Sequence, residues 1–170
     1  MIEFRKSTLS DVNGIVDIIK QAQEYLKLKG IDQWQNGYPN EESILIDIKN
    51  EESYVLEENG KIIATTMLTF RGEVTYNKIE GQWVTEDISY ATIHRLAVNN
   101  SNKGKGIGSI LISEIEKICL SKSINSIKID THEDNVSMQK LIEKNKFKYC
   151  GVIYLQDNSK RVAFEKIIKK

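Results

Sequence analysis

Apolar residues recur at helical spacing from Val12 onward: Val12, Ile15, Val16, Ile19, Ala22, Tyr25 and Leu26 share one face. The pattern predicts a helix with Ser10 as its N-cap and Gly30 at its end. "IEFRKST" before it reads as a short strand, and "IDQWQNGYP" after it as a loop holding the only proline, Pro39. Asn40 can cap a second helix, whose first turn carries Glu41 and Glu42 at the positive end of the helix dipole. "SYVLEENGKIIATTMLTF" is a hairpin, two β-rich runs around Asn59-Gly60. Residues 72–89 show no period and receive no element. Beyond them come a strand over 90–98, a glycine-rich turn, a helix to about Lys122, the strand "SIKIDTH", a helix from about Val136 and two strands around "DNSK".

Strand, helix and strand between 90 and 132 require a crossover, and hence a parallel pair. The hairpins imply antiparallel neighbours. The predicted class is α/β (α+β): a mixed, mostly antiparallel sheet with a central parallel pair and flanking helices. No linker, repeat or low-complexity segment interrupts the chain, so one domain is expected over residues 1–170.

Composition changes this picture little, chiefly by exclusion. Lys and Arg balance Asp and Glu at 24 each, so no global charge draws the chain to nucleic acid or to an anionic membrane. Cys119 and Cys150 make neither a disulfide framework nor a metal cluster; they read as reduced, buried thiols. No apolar run has the length of a membrane span and "MIEFRKSTLSD" has no signal-peptide core, so a cytoplasmic protein is expected.

The chemistry concentrates in "NKGKGIGS", Asn102 to Ser109. A Walker A loop is absent, and the dinucleotide fingerprint fits Gly104 and Gly106 but meets Ser109 where its third glycine belongs. A simpler anion cradle remains: successive backbone N–H groups at a helix N-terminus, unshielded at glycine. From Ile88 to Ser113 the chain has no Asp or Glu, whereas Arg95, Lys103 and Lys105 are present. That local positive site points to a polyphosphate ligand; a plain glycine turn on a solvated edge is the alternative.

"IHRLAVNNSNKGKGIGSILI" resembles the core motif of the GNAT superfamily of acyl-CoA-dependent N-acetyltransferases, and "IDTHEDNVSMQKLIEKNKFKYCG" resembles their second half. The resemblance implies a GNAT-like fold whose parallel strands splay apart to admit a thioester. It implies acetyl-CoA as cofactor, its pyrophosphate on the turn formed by Lys103, Gly104, Lys105, Gly106, Ile107, Gly108 and Ser109. It also implies a pantetheine arm bonded to the backbone of Leu96, Ala97 and Val98, and a cofactor contact from Asn135. The sequence departs from the family at two points. Lys103 stands where Gln or Arg usually begins the motif, and acts as a point charge. Ile142 stands where many relatives carry the tyrosine that protonates the leaving thiolate.

Acetyl transfer to an amine needs a neutral amine, a donor for the developing oxyanion and proximity. His94 is the first candidate general base. Arylalkylamine-acetylating relatives carry a histidine at that strand position; a structural histidine bonded within the sheet is the other reading. His132 could touch substrate or satisfy its own loop. Tyr149 and Tyr154 are acid candidates by residue type alone, and Cys150 by default packs. For the acceptor, Trp34 and Tyr38 in the inter-helix loop are expected to wall the site, with Trp83 and Tyr76 facing the same cleft. Glu73, Glu80, Glu86 and Asp87 could attract a cation or simply be solvated. The leading expectation is an N-acetyltransferase acting on a primary amine of a small molecule or peptide, as monomer or homodimer and with no metal. A protein N-terminal acetyltransferase and a non-catalytic acyl-CoA sensor are the alternatives.

Overall fold

The computed structural model describes residues 1–170. In chain order its elements are β1 (Ile2–Lys6), α1 (Val12–Leu28), α2 (Glu41–Lys49), β2 (Ser53–Glu58), β3 (Lys61–Thr69), β4 (Glu80–Gly81), β5 (Ala91–Val98), α3 (Ile107–Ser121), β6 (Ser126–Thr131), α4 (Val136–Lys144), β7 (Lys148–Tyr154) and β8 (Lys160–Ile167). Hydrogen-bonded neighbours run in the order β1-β2-β3-β5-β6-β8-β7-β4, an eight-stranded sheet in which β5 and β6 are the parallel pair. Two compact units divide the chain: residues 1–68 with 94–114, and residues 69–93 with 115–170.

In the first unit, β2 and β3 form the hairpin that the Asn59-Gly60 turn predicts. Both turn residues are left-handed, at φ 52° and 79°, the twist a two-residue hairpin needs. Ile15, Ile18 and Ile19 of α1, Ile44 of α2, Val55 of β2 and Ala97 of β5 make one buried cluster. The two helices therefore cover the face of β5 that carries Ala97.

The start of α1 differs from the expectation. Ser10 is not its N-cap; it lies in a 3₁₀ turn, Leu9–Asp11, that leads into the helix. The cap belongs to Thr8 and Asp11, whose carboxylate accepts the Thr8 N–H at 2.7 Å. Asp11 is preferred because Arg5 of β1 grips it through two bonds of 2.8 and 2.9 Å while also holding Glu57. Those bonds keep the Asp11 carboxyl below the usual carboxylate range. Asn40 caps α2 as predicted, accepting the Ser43 N–H at 3.0 Å.

In the second unit, β6 pairs with β8 and β8 with β7, all antiparallel. The parallel register aligns Ala91 with Ile127 and Thr92 with Lys128, and β5 runs on to Val98. Residues 72–89 lack a period because side chains from distant strands hold them. The carboxylate of Glu165, 1% exposed, accepts the N–H groups of Val84 and Thr85 and the hydroxyls of Thr85 and Ser126. Tyr76 lies not at a cleft surface but in the core, 2% exposed, donating its hydroxyl to Asp130 at 2.6 Å. Cys119 and Cys150 are both free and buried, and burial pushes the Cys119 thiol up to about 12.

Candidate functional site

The end of β5 is fastened before the glycine turn begins. The Asn99 N–H donates to Ile63 O at 2.8 Å, and the Asn99 side chain accepts the N–H and hydroxyl of Ser101. One short 3₁₀ turn, Asn100–Asn102, comes next. Its first N–H donates to Gln21 Oε1 of α1 at 2.7 Å, so α1 steadies the approach to the turn. Gly104 and Gly106 are then both left-handed, at φ 76°. A Cβ on either would meet no protein atom within 4 Å, so packing does not demand glycine there. The backbone conformation does, and the empty space lies over the backbone itself.

α3 starts at Ile107, and the first N–H groups of a helix have no carbonyl one turn upstream. The helix start is held by buried Ile107, Leu111 and Ile112, while Lys103 to Gly106 remain exposed. A fixed helix N-terminus behind an exposed, left-handed glycine turn is suited to a multiply charged anion. The residues present therefore fit the pyrophosphate of an acyl-CoA.

The charges around the turn are fewer than the sequence suggested. Arg95 is not available to a phosphate, because its guanidinium is bound to Asp47 of α2 at 2.8 and 2.5 Å. The positive charge of the turn is left to Lys103 and Lys105. Lys103 Nζ stands 4.2 Å from the centre of the Tyr25 ring, a cation–π contact with α1. Partial burial there lowers its pKa below the ordinary lysine value. Lys103→Arg is expected to leave affinity for coenzyme A near wild type, and Lys103→Glu to weaken it more at low salt than at high salt. Titrations at two ionic strengths check this; an affinity indifferent to both changes places the phosphates elsewhere.

The other candidates fall in both units. In the first, His94 is half-buried on β5, and its backbone carbonyl accepts the Thr66 hydroxyl at 3.2 Å. Leu96 and Ala97 are buried and Val98 is half-buried. Trp34 packs against the α1–α2 cluster, and the Tyr38 hydroxyl accepts a hydrogen bond from Arg95 at 2.6 Å. In the second unit, Asn135 is buried and caps α4, its side-chain oxygen accepting the Met138 N–H at 3.2 Å. His132 Nδ1 accepts the Asp134 N–H at 3.0 Å, the loop-satisfying arrangement. The indole N–H of Trp83 donates to Tyr76 O, and its ring carries the Lys128 ammonium at 4.2 Å. Tyr149 is 55% exposed, edge-on to Phe164. Ile142 is fully buried in α4 and offers no proton to any ligand. Sequence reasoning missed Gln21, Tyr25 and Asp47; each meets its partner only through packing of α1 or α2 on β5 and the turn.

Residues 19–147 match the family described as Acetyltransferase (GNAT) family. The chain belongs to the GNAT acetyltransferase family. GNAT acetyltransferases use acetyl-CoA. A GNAT family acetyltransferase from Streptococcus agalactiae 2603 is similar at 30% identity and a TM-score of 0.91, over 99% of this chain and 96% of that one. A GNAT family acetyltransferase from Listeria monocytogenes 4b F2365 shares the fold at 18% identity and a TM-score of 0.75, over 98% and 95% of the two chains. PaiA N-acetyltransferase from Thermoplasma acidophilum, solved in complex with coenzyme A, shares it at 20% identity and a TM-score of 0.73, over 99% of each chain. None of the curated proteins matches the chain.

Proposed function

We propose that the protein, as one acetyltransferase domain over residues 1–170, moves an acetyl group from acetyl-CoA to a primary amine of a small molecule or peptide. The amine attacks directly, with both substrates bound at once. The observation that carries this reading is the left-handed pair Gly104 and Gly106 at the start of α3, in a stretch without acids. The coenzyme A complex of the PaiA N-acetyltransferase supports the same ligand.

Bound acetyl-CoA supplies an activated acyl group as a thioester. The chain's own residues do the rest. The N–H groups of Lys105 to Gly108 and the ammonium groups of Lys103 and Lys105 take the pyrophosphate. The backbone of Leu96, Ala97 and Val98 aligns the pantetheine arm, and a β5 N–H steadies the thioester oxygen as negative charge develops on it. His94, on the same strand, takes the proton that the amine must lose. Asn135, Trp83, His132 and Tyr149 keep the supporting roles proposed for them, in cofactor contact, acceptor contact and proton donation.

The decisive experiment is thiol release from acetyl-CoA across polyamines, amino acids, aminoglycosides, arylalkylamines and N-terminal peptides. Turnover with one class names the acceptor. Within that assay Trp34→Ala is expected to raise the acceptor KM with coenzyme A affinity unaltered; if both stay constant, Trp34 is a packing residue only. A non-catalytic acyl-CoA sensor is the second reading, favoured by the fully buried Ile142 at the family's proton-donor position. Coenzyme A binding without thiol release on any acceptor would select it.

A further inference from the structure

Arg95 stands inside a strand, yet its φ is +52°, in the left-handed region. A residue with a side chain stays there only where its surroundings force it. Two parts of the first unit do so. Asp47 of α2 accepts Nε–H at 2.8 Å and Nη2–H at 2.5 Å, and the two side chains are only 13% and 5% exposed. The Tyr38 hydroxyl, from the loop before α2, accepts Nη1–H at 2.6 Å, and the guanidinium lies 5.7 Å from the Tyr38 ring centre. β5 is thus tied by one side chain to a helix and to a loop.

The bend alters the strand on its C-terminal side. Regular alternation would put successive residues on opposite faces. At Arg95 the left-handed φ of +52° breaks that alternation. Left-handed backbone in a strand interrupts its ladder and re-aims the next peptide groups. Those groups belong to Leu96, Ala97 and Val98. A buried ion pair is a poor source of net stability, and the strained backbone subtracts from it. The arrangement is therefore explained better by where it places β5 than by what it adds to folding.

We infer that Arg95, clamped by Asp47 and Tyr38, is a positioning residue that holds the bend by which the Leu96–Val98 backbone meets the pantetheine arm. The inference rests on the acetyl-CoA reading of the glycine turn and adds to it a coupling between the inter-helix loop and the cofactor strand. It separates two halves of the ligand: the turn holds the nucleotide end, and the clamp governs the arm alone.

Calorimetry on the full chain tests this with two probes, acetyl-CoA and 3′-phospho-ADP, which keeps the pyrophosphate and lacks the arm. Arg95→Ala is expected to weaken acetyl-CoA about tenfold, the scale of one or two lost hydrogen bonds, with 3′-phospho-ADP unchanged. Arg95→Gly is expected to weaken it less, because glycine adopts the left-handed conformation at no steric cost. Tyr38→Phe removes one hydroxyl from a ring that is 47% exposed, and so keeps the test open should Arg95→Ala not fold. It is expected to weaken acetyl-CoA about two- to threefold, with the same selectivity for the arm. Wild-type affinity for acetyl-CoA in both Arg95→Ala and Tyr38→Phe overturns the inference, as does parallel weakening of both probes. A wild type that binds neither probe overturns the reading of the turn, and the inference with it.

Discussion

Gly106→Glu is expected to abolish coenzyme A binding while the fold is retained. Two effects act together. Gly106 is left-handed at φ 76°, a conformation that costs a residue with a Cβ about 1–2 kcal/mol. The new carboxylate would also face the pyrophosphate; like charges about 4 Å apart near a protein surface repel by about 4 kcal/mol. The repulsion alone corresponds to a loss of about 10³-fold in affinity, and strain that shifts the turn adds to it. A Cβ at this exposed position meets no protein atom within 4 Å, so the cost to the fold is the local backbone strain, small beside the stability of a domain. Gly106→Ala separates the two contributions, since it keeps the backbone strain without the charge, and a much smaller loss is expected. Calorimetry with coenzyme A reads both, and circular dichroism checks the fold. An unchanged Kd in the glutamate variant would show that the turn is not the phosphate cradle.

His94→Ala is expected to lower kcat on the best acceptor by about 10²–10⁴-fold, the usual cost of removing a general base, with acetyl-CoA Kd nearly constant. The pH profile is the sharper reading. A protonated base accepts nothing further. Wild-type kcat/KM is therefore expected to fall on the acidic side of its pH profile. In the variant this acidic limb should vanish, leaving the titration of the amine itself. A variant that keeps both the rate and the limb makes His94 structural and passes the proton to water or to another group. The chemistry has room for that outcome, because proximity and oxyanion stabilisation supply much of the acceleration in acyl transfer.

The elements that the amino-acid pattern predicts are those whose cause is local. Apolar spacing along α1, the Asn40 cap of α2 and the Asn59-Gly60 turn each act within a few residues, and the structure has all three. The glycine turn is of the same kind. Left-handed backbone, a helix start and the absence of acids are properties of one short stretch, so the candidate cofactor site was legible before any packing was known. Where local signals competed, the sequence misled. Ser10 and Thr8 are both acceptable caps, and the choice was made by Arg5 of β1, which holds Asp11 while anchored to Glu57 of β2. Residues 72–89 have no period because they answer to Glu165, 80 and 81 positions away.

By itself, then, the sequence determined the order of elements, the hairpin, the parallel crossover and a candidate anion cradle between β5 and α3. Only the tertiary structure decided which charges that cradle keeps. Arg95 and Lys103 lie in the same acid-free run and look equivalent. Folding gives Arg95 to Asp47, 48 positions away, and leaves Lys103 its charge over the ring of Tyr25. The physical reason is range: a turn, a cap or a helical period is set by neighbours along the chain, whereas an ion pair or a cation–π contact is set by which faces of α1 and α2 are buried against β5.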